Sequence, residues 1–421
     1  MTSSIYGGAV SRRAPLYALY VADAISLAGN AVAQLAIPWF VLTTTGSATL
    51  TALAVFFNFL PIVLSGFLGG VVVDRLGFRA TSIVADVASS VAVAAIPLLY
   101  STVGLELWAL MALVFVGALL DAPGATARAA LLPDLVEAAG TRMERASGIR
   151  GAIQQSSILV GAPIGGVLVA TVGATNALWL NAASFLFSAA LVALFVPRPP
   201  AASDDAKEPT GFFTELAEGM RFIWNQRILR ALVLTVLVSN LIEAPFPVVM
   251  AVFAEETYGS AADLGIMYGV FGGAALIGSL AYSWIGHRSP RRQTFLCCFA
   301  SIPAIYLVLA TLPTLPVALV ALAVVGLAAG PINPLIFTIV AEVVPLHLRG
   351  RVFGAVRAGA WASIPLGILV GGVLVSTIGV AATFLAIGVS YTALVAYGFF
   401  NPAFRELDRP VTEPPTAEEA A

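Results

Sequence analysis

Two carboxylates lie inside long apolar runs of this chain, where an ionised side chain is unfavourable. Asp23 lies eight residues after Pro15, and Glu243 lies thirteen residues after Arg230, so each would sit at least about 12 Å along a helix that enters a membrane. A charge at the centre of a bilayer costs about 2.5–3.5 kcal/mol on insertion scales. We predict that both residues bind protons. Glu243 could equally bind a cationic ligand, and Asp23 could instead pair with a donor on another helix or with water.

The elements that must position these carboxylates are apolar segments long enough to cross a bilayer. The chain has 421 residues, of which 59% are hydrophobic and 10% are charged, whereas about a quarter of the residues of a soluble domain are charged. A membrane-crossing helix needs about 20 apolar residues. The sequence therefore predicts an all-α membrane protein with twelve transmembrane helices, at 16–42, 48–73, 80–101, 105–122, 148–171, 175–196, 229–254, 262–285, 294–312, 315–341, 352–376 and 380–400.

The basic residues support this count. All 21 Lys and Arg residues fall on one side of the predicted zigzag, and basic loops are retained in the cytoplasm during insertion. We therefore predict a multi-pass protein of the bacterial cytoplasmic (inner) membrane with both termini in the cytoplasm. The same sorting leaves Asp23 and Glu243 without predicted basic partners. Structural pairs are expected near the cytoplasmic helix ends, namely Asp86 with the loop at Asp74, Asp121 with Arg128, and Glu342 with Arg349.

The two halves of the chain are related in sequence. Gly161–Gly173 (GAPIGGVLVATVG) aligns without gaps to Gly367–Gly379 (GILVGGVLVSTIG) at an offset of 206 residues. These segments are the fifth and eleventh spans, as a six-helix duplication requires. We predict two pseudo-symmetric six-helix bundles at 1–196 and 229–401. A cytoplasmic linker with an amphipathic helix at 197–228 joins them, and a disordered cytoplasmic tail follows at 402–421.

The loop after the second span carries a family signature. Gly70-Val-Val-Val-Asp74-Arg75-Leu-Gly77-Phe-Arg79 resembles the G-x-x-x-D-R-x-G-x-R motif of the major facilitator superfamily. The resemblance implies the major facilitator fold and an inner gate that an acidic residue helps to lock. It assigns that gate to Gly70, Asp74, Arg75, Gly77 and Arg79, and we place Asp121 and Arg128 at the same gate.

Further stretches narrow the resemblance. Asp121-Ala-Pro123, Leu131-Leu-Pro133-Asp134 and Gly330-Pro-Ile-Asn-Pro334 are similar to the bacterial exporter branch that contains macrolide, tetracycline and aminoglycoside efflux pumps and siderophore exporters. Two departures stand out. The fifth span reads Gly161-Ala-Pro-Ile-Gly-Gly where the exporters have G-P-x-x-G-G. The fourth span, taken as 105–122, lacks the intramembrane Arg of several drug antiporters, which argues against a proton relay through such a residue.

Polar and aromatic residues of the predicted spans are candidates for binding substrate. In this fold the first, second, fifth, seventh, tenth and eleventh spans line a central cavity. A mostly apolar cavity with a few polar anchors suits large amphipathic molecules, and aromatic faces attract organic cations. The alternative is that the Asn and Gln side chains join helices to one another. The predicted substrate-binding residues are Asn30, Gln34, Asn58, Gln154, Gln155, Asn240, Phe246, Asn333, Phe337 and Trp361.

Other classes of site have no support in the sequence. The G-x-x-x-x-G-K-[ST] motif of nucleotide-binding proteins is absent, so we predict no ATP, no cofactor and no enzymatic activity. His287 and His347 lie outside the spans, and we predict no metal site. The sorted charges offer no basic face to nucleic acid. The predicted partners are a small amphipathic substrate, protons and the lipid bilayer, and the resemblance implies a monomer.

These observations predict a proton-coupled exporter, a drug:proton antiporter that carries amphipathic drugs or natural products by alternating access. One alternative is an exporter of a siderophore or another endogenous metabolite. A second is a proton-coupled uptake permease, which would hold more buried charge matched to a polar substrate. A third is a membrane enzyme or sensor on a transporter scaffold, which would need a catalytic cluster or an added domain.

Overall fold

The structure, a computed structural model, describes residues 13–197, 212–286, 289–345 and 348–408. These residues are helical almost throughout, and no strand occurs among them. The helices are α1 (Ala14–Thr45), α2 (Ala48–Leu76), α3 (Phe78–Thr102), α4 (Leu107–Ala138), α5 (Met143–Val172), α6 (Ala174–Phe195), α7 (Phe212–Asn225), α8 (Arg227–Glu243), α9 (Phe246–Tyr258), α10 (Ala261–Ile285), α11 (Arg291–Leu309), α12 (Leu315–Ala329), α13 (Ile332–Val343) and α14 (Arg349–Phe400).

Ten helices of the described part are long and apolar enough to cross a membrane. Two of them are bent by proline: α8 and α9 together form the candidate Arg227–Tyr258, and α12 and α13 together form Leu315–Val340. A shorter apolar stretch in α2 covers Ala48–Leu64. The last candidate, Trp361–Phe400, contains Gly379, whose φ of 79° interrupts the helix. The predicted class, an all-helical multi-pass membrane protein, is confirmed.

The chain divides into two compact units. Unit 1 contains Met1–Asp204, Pro245–Gly272 and Ile368–Val380, and unit 2 contains Asp205–Ala244, Gly273–Gly367 and Ala381–Ala421. The first unit therefore holds α1 to α6 together with α9, the start of α10 and the middle of α14. Parts of three helices from the second half of the sequence thus pack with the first half.

The glycines of the sequence repeat make equivalent close contacts. A Cβ on Gly161 would lie 2.5 Å from the Cβ of Ala31 in α1, and a Cβ on Gly367 would lie 2.5 Å from the Cβ of Ala244 after α8. At the third glycine pair, a Cβ on Gly166 would lie 2.6 Å from the Ala261 carbonyl oxygen. A Cβ on its counterpart Gly372 would clash with the Cβ of Ala52 in α2. The missing side chains let the helix backbones approach closely, as in other membrane helix pairs.

The repeat extends into the turn that follows it. Gly173 ends α5 with φ 87° and ψ 154°, and Gly379 interrupts α14 with φ 79° and ψ 171°. Both positions need the left-handed region of φ that glycine tolerates. The alignment at an offset of 206 residues therefore corresponds to a shared backbone conformation as well as to shared packing.

Two boundaries differ from the sequence-based prediction. The fourth span was placed at 105–122, but α4 continues to Ala138 through Pro123 and Pro133. The tail was predicted to be disordered from residue 402, but Pro402–Asp408 forms a short 3-10 helix. Phe404 in this helix is buried and stacks on Phe295 of α11, with ring centroids 5.3 Å apart. The packing of Phe404 against the Phe295 ring accounts for the order of this first part of the polar tail.

Candidate functional site

A buried arginine organises the polar centre of unit 1. Arg128 of α4 is 1% exposed, and its Nε donates to Asp23 Oδ1 of α1 at 2.7 Å. Its Nη1 donates to Asp86 Oδ1 of α3, also at 2.7 Å. The second oxygen of Asp23 accepts from Arg150 Nε of α5 at 3.0 Å. One guanidinium group therefore ties together three helices, and a second guanidinium group joins a fourth.

Hydroxyl groups complete the coordination of this cluster. Ser188 Oγ of α6 donates to Asp86 Oδ2 at 2.7 Å, and Arg128 Nη2 donates to Ser26 Oγ at 3.3 Å. Both oxygens of Asp86 are therefore bonded although the residue is fully buried. Charges removed from water are tolerated when they are paired and fully hydrogen-bonded in this way.

The last member of the cluster, Asp121, is held loosely. Asn30 Nδ2 donates to Asp121 Oδ2 at 2.9 Å, and Arg128 Nη2 lies 4.0 Å from Asp121 Oδ1. That Oδ1 atom is buried and accepts no hydrogen bond from the described residues. The predicted pairing of Asp121 with Arg128 is therefore present only at the limit of an ion pair.

Helical spacing explains why these residues meet. Asp23 and Asn30 are seven residues apart on α1, as Asp121 and Arg128 are on α4, and residues seven apart share one face of a helix. Gly124 lies on the same face of α4. A Cβ there would lie 3.0 Å from the Cβ of Ala85, so the glycine lets α3 and α4 approach closely enough for Arg128 to reach Asp86.

Two sequence-based expectations about this cluster are wrong. Asp23 was predicted to have no basic partner, yet it pairs with two arginines. Arg128 was assigned to the turn between the fourth and fifth spans, but it lies within α4. The argument that the fourth span has no Arg therefore fails as well. In both cases the helix continues beyond the point where the apolar run ends. The described partners of Asp86 are Arg128 and Ser188. Its expected pairing with the loop at Asp74 stays a prediction, because the side chains of Asp74 and Arg75 are not described.

Glu243, at the end of α8, lies in a different environment in unit 2. Tyr391 Oη of α14 donates to Glu243 Oε2 at 2.8 Å, and Ser239 Oγ lies 2.9 Å from the same tyrosine oxygen. No Lys or Arg nitrogen lies within 4.0 Å of Glu243 among the described side chains, in contrast to the paired aspartates.

The Tyr391 ring is held firmly. It is fully buried and stacks on Tyr306 of α11, with ring centroids 6.0 Å apart and an interplanar angle of 14°. Just beyond Glu243, Pro245 lacks the N–H that would bond the Leu241 carbonyl oxygen in a continuous helix. A Cβ on Gly367 would lie 2.5 Å from that oxygen, so α14 packs closely against the break in the helix.

The predicted substrate-binding residues are divided between the units, and each unit is described by itself. In unit 1, Asn30 contacts Asp121, and Phe246 packs against Tyr268 with ring centroids 5.8 Å apart. The remaining members of unit 1 are Gln34, Gln154 and Gln155, which are exposed, and Asn58, which is partly buried. The members in unit 2 are Asn333 and Phe337, which are exposed, and Asn240 and Trp361, which are partly buried.

Part of the inner-gate motif is visible. Arg79 donates from Nε to the Val196 carbonyl oxygen and from Nη2 to the Ala193 carbonyl oxygen, both at 2.6 Å. A guanidinium group at the C-terminal end of α6 caps carbonyls that have no partner within the helix. Gly77 precedes α3 with φ 74°. The side chains of Asp74 and Arg75 and the surroundings of Gly70 are not described, and His287 and His347 lie outside the described residues.

In unit 2, Glu342 pairs with Arg291, and its predicted pairing with Arg349 stays a prediction. Arg291 Nη2 donates to Glu342 Oε1 at 2.8 Å, and Nη1 donates to the other oxygen. This bidentate pair joins α11 to α13. The side chain of Arg349 is not among those that the structure describes.

Sequence reasoning missed several residues of both clusters. Tyr391 and Ser188 were overlooked because the twelfth and sixth spans are not among those expected to line the central cavity. Arg150 was not singled out, although it lies within the predicted fifth span and about two turns after the start of α5. The spacing of seven residues between Asp121 and Arg128 could have indicated that both face one side of a longer fourth helix.

Comparisons with known proteins agree with this architecture. The family model for the Major Facilitator Superfamily matches residues 19–253 and 234–421. The multidrug efflux pump Tap of Mycobacterium tuberculosis (strain ATCC 25618 / H37Rv) is 34% identical over 401 residues, which cover 94% of this chain and 96% of that protein. Macrolide efflux protein A of Streptococcus pyogenes is 23% identical over 398 residues, covering 93% and 96%.

The solved structures show the same fold. The crystal structure of nucleoside transporter NupG superimposes with a TM-score of 0.73 at 11% identity and covers 94% of this chain and 99% of that one. The resemblance to bacterial exporters of this family, predicted from the motifs, is confirmed over nearly the full length. The chain belongs to the Major Facilitator Superfamily.

Proposed function

We propose that this protein exports amphipathic drugs or natural products in exchange for protons, by alternating access. The similarity to a multidrug efflux pump and to a macrolide efflux protein supports the substrate class. We infer twelve spans in two six-helix bundles, because α2 supplies one span beyond the ten candidates and Gly379 divides the last candidate into two. The protein would act as a monomer in the cytoplasmic membrane, with both termini in the cytoplasm.

The observation that carries proton coupling is Glu243. A carboxylate in an apolar span is either neutralised by a cation or able to take up a proton. Its described partner is the neutral hydroxyl of Tyr391. Glu243 therefore remains free to exchange a proton, or to bind a cationic group of the substrate in its place.

Tyr391 can satisfy both forms of this carboxyl. When Glu243 is ionised, the tyrosine hydroxyl donates to it at 2.8 Å, and the Ser239 hydroxyl can donate to the tyrosine. When Glu243 is protonated, it can donate to the tyrosine oxygen. The tyrosine hydroxyl then donates to the Ser239 carbonyl oxygen, 3.2 Å away. Because the buried carboxyl is hydrogen-bonded in both states, neither state carries the free-energy cost of an unmade hydrogen bond.

The cycle follows from competition at Glu243. A proton entering from outside favours release of the substrate and return of the empty carrier, and loss of that proton inside favours loading. One proton moving inward yields about 2.3 kcal/mol per 100 mV of membrane potential. The candidate binding residues in the two units, such as Asn30 and Trp361, would contact substrate. The close contact between Gly166 and Gly265 would part when the outer side opens.

Expression in a bacterium that lacks its own efflux pumps tests this proposal. Erythromycin, tetracycline and ethidium form a panel of amphipathic probes, and ethidium is read by its fluorescence inside cells. The wild-type protein is expected to lower susceptibility to at least one probe and to lower ethidium accumulation. A protonophore that collapses the gradient is expected to abolish both effects.

The matched variants are Glu243→Gln and Glu256→Gln, which lie on the same candidate span, the second at an exposed position. Glu243→Gln is expected to lose protonophore-sensitive efflux at wild-type membrane levels, whereas Glu256→Gln retains it. Full efflux by Glu243→Gln would remove this residue from the coupling step. If efflux by the wild type continues unchanged in the presence of the protonophore, proton coupling is overturned. Concentrative uptake of a probe would favour a permease.

A further inference from the structure

The charged cluster around Arg128 does not balance if every carboxyl group is ionised. It contains three carboxylates, Asp23, Asp86 and Asp121, and two guanidinium groups, Arg128 and Arg150. The cluster would then carry a net charge of −1 in the interior of unit 1. An uncompensated buried charge is so unfavourable that the group takes up a proton instead.

The geometry identifies the carboxyl group that is left over. Asp23 accepts from two arginines, at 2.7 and 3.0 Å. Asp86 accepts from Arg128 and Ser188, both at 2.7 Å. Asp121 accepts from a neutral amide, and its Oδ1 has no donor among the described groups, with Arg128 4.0 Å away. The side chain of Asp121 is also 20% exposed, against 4% for Asp23 and 0% for Asp86.

We propose that Asp121 is a second exchangeable proton site, which holds a proton in this conformation and releases it when Arg128 moves toward it. The inference deepens the proposed function, on which it rests, by giving the first half of the chain its own coupling carboxyl. The protonated cluster has no net charge. Loss of the proton leaves an anion on α4 that attracts the Arg128 guanidinium away from Asp23 or Asp86.

The movement has a direct mechanical consequence. Closing the 4.0 Å gap between Arg128 and Asp121 to a normal ion-pair distance of about 2.8 Å would weaken a bond from α4 to α1 or to α3. Protonation of Asp121 would thus decide how tightly α4 is tied to its neighbours. A cationic substrate near Asp121 could supply the missing positive charge in place of the proton.

The polar and charged groups of the cluster that contains Asp121 come from four neighbouring helices. They are Asp23 and Asn30 on α1, Asp86 on α3, Arg150 on α5 and Ser188 on α6, with Arg128 on its own helix. The charged residues of α2, Asp74 and Arg75, are not among the described side chains. Any titration of the cluster belongs to these groups together.

Infrared spectroscopy of the purified full-length protein tests the site without any transport. Protonated carboxyl groups show a C=O stretch that ionised carboxylates lack, and exposed carboxyls are ionised at neutral pH because they titrate at about 4. The measurement uses the Glu243→Gln background, so that Glu243 does not contribute. The band is expected in this background at neutral pH, and it should vanish when Asp121→Asn is added.

Asp134→Asn, at an exposed position of the same helix, is the matched control and should keep the band. Asp86→Asn leaves two carboxylates for two arginines, so it is also expected to remove the band. Arg150→Gln leaves one more carboxyl unbalanced and is expected to increase the band roughly twofold. A band that survives in Asp121→Asn, or that is absent before the substitution, overturns the assignment.

A transport measurement separates this site from the coupling at Glu243. In proteoliposomes that contain the otherwise wild-type protein, Asp121→Asn is expected to lose ethidium accumulation driven by a pH gradient, whereas Asp134→Asn at the exposed position is expected to keep it. Unchanged gradient-driven accumulation would show that the proton on Asp121 is not coupled to transport. Failure of the wild type to respond to the gradient would instead overturn the proposed function, whatever the infrared band shows.

Discussion

At the scale of single residues, Arg128 and Tyr391 make two similar carboxylates behave differently. Asp23 and Glu243 looked alike in the sequence, since each interrupts an apolar span. In the structure, Asp23 is neutralised by Arg128 and Arg150, whereas Glu243 is bonded to a hydroxyl. The partner is set by which helices pack together, and single-sequence patterns do not contain that information. The role of a carboxylate in a membrane span therefore depends on the partner that the packing of the helices gives it.

The tyrosine beside Glu243 gives a prediction for pH dependence. A hydrogen bond donated to a carboxylate favours its ionised form, so Tyr391→Phe should make ionisation of Glu243 harder. The midpoint of the pH–rate profile for ethidium efflux is expected to move to higher pH. Tyr397→Phe, which removes an exposed hydroxyl from the same helix, should leave the midpoint unchanged. A profile that is identical in Tyr391→Phe and in the wild type would contradict the role of this hydroxyl.

The two arginines of the first unit differ in what they stabilise. Arg128→Met leaves Asp86 without a cation in a fully buried position, and breaking a buried pair costs about 3–5 kcal/mol. Arg150→Met removes a partly exposed partner, since 31% of its side chain is accessible, and should cost clearly less. Thermal unfolding of the purified protein in detergent measures both. Equal loss of thermal stability in the two variants would contradict the central position of Arg128.

At the scale of helices, a boundary was predictable where a proline or glycine coincides with the end of an apolar run. The glycine repeat predicted the duplication, and its members make matching contacts on α1 and after α8. The length of α4 was not predictable from hydropathy, because the helix continues as an amphipathic segment with Arg128 on its buried face. The start of the tail is ordered because Phe404 packs against Phe295. This contact is a feature of tertiary packing, which hydropathy does not predict.

Close packing at the repeat glycines gives an element-scale prediction. A Cβ on Gly166 would lie 2.6 Å from the Ala261 carbonyl oxygen and 2.8 Å from the Gly265 Cα. Gly166→Val should therefore separate α5 from α10 and cost about 1–3 kcal/mol, as overpacking does. Gly151→Val lies on the same helix with open space around it and serves as the control. If both variants unfold at the same temperature and transport equally, the close approach is unimportant.

At the scale of the whole molecule, composition and the sorting of 21 basic residues were enough to predict an all-helical membrane protein. The family motifs predicted its superfamily, which the family model confirms. Neither source could predict the charge balance inside the first unit. That balance depends on five side chains from four helices, and the hydropathy pattern placed one of them, Arg128, outside the predicted spans.

The central claim is that protons moving inward drive substrate outward. Inverted membrane vesicles test it most directly, because their lumen corresponds to the outside of the cell. Acidifying the lumen is expected to drive ethidium into vesicles that contain the wild-type protein, and a protonophore should release it. Vesicles with Glu243→Gln should show no such accumulation. The account would be contradicted if ethidium accumulation did not depend on the pH gradient, or if ethidium left the lumen together with protons.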